Sequence, residues 1–172
     1  MATTFTLIKT YTLASAAASF DFTSIPSTYT DLCLKISARS SSGFVGNIVD
    51  SAIIYFNTDT SATTNYSARC LLGSGSAASS DTTKRGGFVN GTSSTTSSFS
   101  NTEFYIPNYA GSNYKSVSID GVQENNATAA YAGMEAWLWS NTAAINAITL
   151  KLESAGNFVQ YSTASLYGIL KA

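Results

Sequence analysis

The sequence predicts an all-β fold: an antiparallel β-sandwich of jelly-roll type, with nine to eleven strands in a single domain over residues 1–172. Three observations predict it. Apolar residues recur with strict period two, the mark of half-buried strands. No stretch sustains a helical period. Turn-forming residues fall between the alternating runs at near-even spacing, as two packed sheets require. A chain of 172 residues can bury a core without metal or disulfide staples.

The first strand is expected over 5–13. In 31–39, Leu32, Leu34 and Ile36 oppose Asp31, Cys33, Lys35, Ser37 and Arg39, which gives a strand with one wet face. Alternating runs at 51–57, 66–72, 99–106 and 115–122 follow. Next come 131–140, then Ile148, Leu150 and Leu152 opposing Thr149, Lys151 and Glu153, and finally 158–170. Breakers at 124–127, 141–144 and 156–157 separate these last strands, so the C-terminal half reads as an antiparallel meander. Pro26 and Pro107 each follow an isoleucine and are expected to end a strand, because proline cannot donate to a ladder. Residues 14–19 and 142–147 could each supply a helical turn but are too short for an independent helix. The segment 73–100 is a Ser/Thr/Gly-rich excursion around a brief Gly-Phe-Val-Asn. It is expected to be a flexible surface loop holding one short strand, or an arm that orders against a neighbour.

Composition narrows the function. Histidine is absent, more than a quarter of the residues are Ser or Thr, and only 11% are charged, against about 25% in ordinary domains. Without imidazole, Ser-His-Asp and Cys-His machinery and histidine-based zinc sites are excluded. No catalytic residue, cofactor or metal site is expected, and the protein reads as a non-enzyme. Nine basic against ten acidic residues leave a net charge of −1, so no field exists to hold a phosphate backbone, and nucleic acid is not an expected partner. A weakly charged surface favours self-association or packing on neighbours. No basic leader precedes an apolar segment and no run of 18 apolar residues occurs, so neither a secretory signal nor a membrane span is expected.

The remaining motifs have ordinary readings. Glu103, Asp120, Glu124 and Glu135 could in principle form a glycosidase pair, but ten acids in the chain make such a pairing an expected coincidence. Asp120, Glu124, Asn125 and Asn126 lack calcium-loop spacing and read as a turn. Lys84 and Arg85 precede two glycines without a phosphate-loop pattern and read as solvated loop charge. Asn65, Asn90 and Asn126 open Asn-X-Ser/Thr triplets with no secretory context. Cys33 and Cys70 are expected as two independent, partly buried thiols, with a single disulfide as the alternative.

The most informative stretch is 131–139. Met134, Ala136 and Leu138 share one face; Tyr131, Gly133, Glu135, Trp137 and Trp139 share the other, where Glu135 alone prefers water. A strand apolar on both faces is buried on both. Either loops of the chain itself cover it, or Trp137 and Trp139 face a partner subunit or a sugar. The candidate interface residues are therefore Tyr131, Trp137 and Trp139, with Tyr105 and Tyr109.

Four segments carry a resemblance: FTSIPSTYTDLCLKI from Phe22, YIPNYAGSN from Tyr105, WSNTAAI from Trp139 and NFVQYSTASLYGI from Asn157. Together they resemble small virion structural proteins of marine tailed phages, especially those infecting cyanobacteria, over most of the chain outside 73–100. The resemblance implies a β-sandwich particle component without catalytic residues, made in the host cytoplasm and placed on head or tail. The function expected from it is a capsid decoration or cement protein, with the major capsid protein or tail components as partners and a homotrimer as the favoured oligomer. The alternative is a tail-fibre or receptor-binding module that recognises host surface glycan.

Overall fold

A computed structural model describes residues 4–61, 64–126 and 129–170. Twelve strands form, one more than the upper end of the expected range, and no helix occurs among the described residues. They are β1 (Phe5–Thr12), β2 (Ser19–Phe22), β3 (Asp31–Ala38), β4 (Val49–Phe56), β5 (Tyr66–Gly73) and β6 (Ala78–Asp81) in the first half. The second half supplies β7 (Gly87–Asn90), β8 (Ser100–Ile106), β9 (Lys115–Gln123), β10 (Tyr131–Trp139), β11 (Ile148–Leu152) and β12 (Thr163–Ile169).

Two sheets result, β1-β12-β3-β8-β9-β10-β5-β6 and β2-β11-β4-β7, and all ladders between strands are antiparallel. Eight of the strands follow jelly-roll order. If β1, β2, β3, β4, β7, β8, β11 and β12 are taken as consecutive, the first pairs with the last, the second with the seventh, the third with the sixth and the fourth with the fifth. This nested pairing is the double Greek key of a jelly roll. The other four strands are two insertions, β5–β6 and β9–β10, and both widen the same sheet.

The meander expectation holds for β8–β9–β10 but fails after it, because β11 crosses to the smaller sheet and pairs with β2 and β4. The last strand starts at Thr163, not at 158; Phe158 instead makes single bridges to Ala17 and Ser40. Residues 14–19 and 142–147 form no helical turn, and Ser19 already belongs to β2.

The 73–100 excursion is built into the sandwich. It contains β6 and β7, and residues 92–98 are gathered around Arg39. The Arg39 guanidinium donates to the carbonyls of Thr92, Ser94, Thr95 and Ser98 at 2.8–3.2 Å. Five rigid donors in one plane suit this cage of carbonyls.

The core is continuous between the sheets and rich in aromatics. At one end, Tyr66 of the wide sheet accepts a hydrogen bond from the Phe56 amide of the narrow sheet (2.9 Å) and donates to the Asp59 carbonyl (3.1 Å). Its ring stacks on Trp139 with centroids 6.4 Å apart, and Trp139 Nε1 donates to Asp59 Oδ2 at 2.8 Å. Removing the hydroxyl strands a buried amide, which costs about 1–3 kcal/mol. Tyr66→Phe should lower the free energy of unfolding by that amount, seen as a lower urea midpoint with an unchanged m-value, while Arg39→Met should accelerate amide exchange selectively in 92–98.

Candidate functional site

The period-two register of β10 is as expected, but only one of its two faces is buried: the Trp face is covered by the chain itself and the Met134 face is open. Trp137 (2% exposed) and Trp139 (1%) lie in the core, whereas Met134 is 60% exposed. The physical reason is partner geometry: Trp137 sits opposite Ala68 and Trp139 opposite Tyr66, inside a cluster with Phe56 from the facing sheet. The two tryptophans therefore cannot be a partner-facing or sugar-stacking pair. Tyr109 is also fully buried, as a strut whose hydroxyl donates to the Pro26 carbonyl and joins the two Ile-Pro corners. Tyr105 stays on the surface, where its hydroxyl donates to Asp31 Oδ2 (2.7 Å). Tyr131 is half-buried and stacks on Phe88 at 5.7 Å.

Glu135, the one residue of its face that prefers water, is carried into the core with the tryptophans. It follows Trp137 inward and is 5% exposed. Trp137 Nε1 (2.6 Å) and the Gly86 amide (3.1 Å) both donate to its Oε2, Cys70 lies opposite it in the register, and its Oε1 has no partner. Burial pushes this carboxyl up to about 7, against the pull of the Trp137 and Gly86 donors, the Cys70 thiol and the Arg85 charge.

The other carboxylates separate. Glu103 and Asp120 are register partners on the outer face of the wide sheet, with Glu103 bridged to Lys35 at 2.8 Å. Glu124 folds back on the amides of Asn125 and Asn126, forming the expected turn. The triplet at Asn126 runs into residues outside those described. Cys33 and Cys70 are free and buried. Their strands stand four positions apart in the sheet, roughly 19 Å at the usual strand spacing, beyond disulfide reach. Among the described residues no cluster of three or more Asp, Glu or Cys could hold a metal.

Two surface features remain. The first is the outer face of β9–β10–β5. Its side chains form rows across the strands: Ser118–Ala136–Arg69, Asp120–Met134–Leu71 and Val122–Ala132–Gly73. Met134, Leu71 (57% exposed) and Val122 (45%) make a contiguous apolar patch, and no helix, strand or loop among the described residues covers it.

The second feature is a groove of about 410 Å³ at the side of the sandwich, where the wide sheet reaches past the edge of the narrow one. Val49, Ser51 and Phe88 of the narrow sheet form one wall; Leu72, Ser79 and Tyr131 of the wide sheet form the other. Phe44 and Val45 make the rim, with Arg85 and Glu153 alongside. Gly133 lets the walls meet, since a Cβ there would lie 2.4 Å from the Phe88 ring. Arg85 is not free loop charge: its Nη2 pairs with Asp81 Oδ2 at 2.6 Å.

The molecule is thus a jelly-roll sandwich with one uncovered sheet face and one mixed aromatic and charged groove. No protein-family model, no curated protein and no solved structure matches the chain.

The Glu135 environment gives a pH signature. The carboxyl is raised when folded, from 4.5 to about 7. The folded state therefore holds a proton that the unfolded chain has already released, and stability falls as pH rises through this window. The change is about 3 kcal/mol. Urea midpoints should be lower at pH 8 than at pH 5. Glu135→Gln, which keeps an acceptor for Trp137, should flatten most of that dependence and stabilise the protein at pH 8.

Proposed function

We propose that the protein is a non-enzymatic structural component of a phage particle, a decoration or cement protein that stabilises the head shell. The observation that carries the contact role is the exposed patch of Val122, Met134 and Leu71, spread over two adjacent rows of an otherwise hydroxyl-rich, weakly charged sheet. Large apolar side chains gathered on a flat face suit burial against protein. The jelly roll supports the reading as a fold used repeatedly in capsid and lectin domains, although a fold alone does not assign a function. The resemblance of the four segments to marine phage virion proteins supplies the particle. The partners in this reading are the major capsid protein and further copies of the chain, favoured as a trimer; the location is the virion, after synthesis in the host cytoplasm.

A receptor-binding module on the tail is the second reading. It is favoured by the aromatic groove with Tyr131, a residue that remains accessible while Trp137 and Trp139 do not.

Cryo-EM of virions carrying the wild-type chain should place copies on the head lattice with the β9–β10–β5 face against the shell. A Leu71→Glu/Met134→Glu variant should keep its thermal midpoint and be lost from the heads. Full occupancy by the variant, or wild-type copies on the tail alone, would contradict the decoration role.

A further inference from the structure

We propose that the groove between the two sheets binds a neutral saccharide. The proposal holds for either position on a particle, because the groove opens at the side of the sandwich and not on the outer face of β9–β10–β5.

The volume of about 410 Å³ falls within the usual range for small-ligand sites, about 300–1,000 Å³. Its lining selects the ligand class. Phe44, Val45, Leu72 and the stacked pair Phe88–Tyr131 supply an apolar and aromatic surface, which suits the C–H face of a sugar ring. Arg85, held by Asp81, supplies a donor and Glu153 an acceptor in the same groove. Arg85 Nη2 is engaged by Asp81, and its Nη1 has no hydrogen-bond partner among the described residues. Glu153 is tied to the neighbouring strand through its backbone, its amide donating to the Ser51 carbonyl at 2.9 Å, and its side chain is exposed at the groove. Neighbouring sugar hydroxyls, each both donor and acceptor, match such a pair.

The other ligand classes fit less well. A wholly apolar ligand would cover the Glu153 carboxylate without offering it a hydrogen bond. An anion would meet Glu153 beside an arginine whose charge Asp81 already balances, and a cation would meet that arginine.

The rim carries a second observation. Val45 has φ 50° and is 58% exposed. A β-branched residue in the left-handed region is strained, and such strain concentrates at ligand clamps and switches. Hydrogen bonds from the Phe44 amide to the Val49 carbonyl (2.6 Å) and from the Ile48 amide to the Phe44 carbonyl (3.1 Å) hold the rim in this shape.

The test is saturation-transfer NMR and calorimetry with a panel of neutral gluco-, manno- and galacto-disaccharides, with a sialylated disaccharide and an unrelated extended peptide as comparators. At least one neutral sugar should bind. Tyr131→Ala and Glu153→Gln should each weaken binding by about tenfold, as loss of one stacking or charged hydrogen-bond contact does. Glu153 lies at the surface, so Glu153→Gln should leave the thermal midpoint unchanged and separate loss of binding from loss of fold. No neutral sugar binding at millimolar concentration, tighter binding of the sialylated sugar or the peptide, or wild-type affinity in both variants would each overturn the proposal.

Discussion

The Tyr66 hydroxyl ties together sheets of unequal width. It takes the Phe56 amide from the narrow sheet and returns a hydrogen bond to the Asp59 carbonyl in the turn that follows β4. Trp139 reaches the same turn through the Asp59 carboxylate. Rings from β4, β5 and β10 thus close one end of the core, each burial contributing about 1.5–3 kcal/mol, while hydrogen bonds fix the register that packing alone would leave loose. Once Trp139 is committed to this cluster, period two commits all of β10: Trp137 and Glu135 point inward, and Met134 and Ala136 point out. The buried acid and the exposed apolar patch are two consequences of one aromatic contact.

The insertions create the uncovered sheet face and the groove. A bare jelly roll of eight strands has two four-stranded sheets that cover one another. Here β5–β6 and β9–β10 both extend the same sheet, and the extension reaches past β7. Its inner side covers the second face of β4, where Val49, Ser51 and Ile53 are all under 8% exposed, and the incomplete closure there is the groove. Its outer side has no third layer, and this is where Leu71, Val122 and Met134 lie. At the far margin β6 is only four residues long, a length that blunts edge-to-edge pairing.

Much of the fold was legible in the sequence because alternation is a local signal. Leu32, Leu34 and Ile36 on β3 are buried as the period requires, and strands β8 and β9 begin and end close to where the pattern starts and stops. Strand β6 was invisible, since Ala-Ser-Ser-Asp carries no apolar alternation and forms only by pairing with β5. The inward face of β10 was not legible, because both faces are apolar and the deciding partners, Phe56 and Tyr66, lie more than 60 residues away in the chain. One signal did exist: Glu135 shares a face with Trp137, so the pair had to go in or out together. Arg85, Phe88 and Glu153 meet only through long-range sheet order, and nothing in their local sequence links them. The carbonyl cage around Arg39 likewise turns a low-complexity stretch into fixed structure.

Scarce charge and missing histidine take on a specific meaning in this architecture. The hydroxyl-rich surface leaves a few apolar patches to define where another molecule can sit, and in one of them Met134 lies between Leu71 and Val122. Oxidative footprinting of Met134, in the free chain and in intact virions, tests this most directly. Rapid sulfoxide formation in the free chain and strong protection in the particle are expected. Equal oxidation in both states would contradict a contact role for this sheet face.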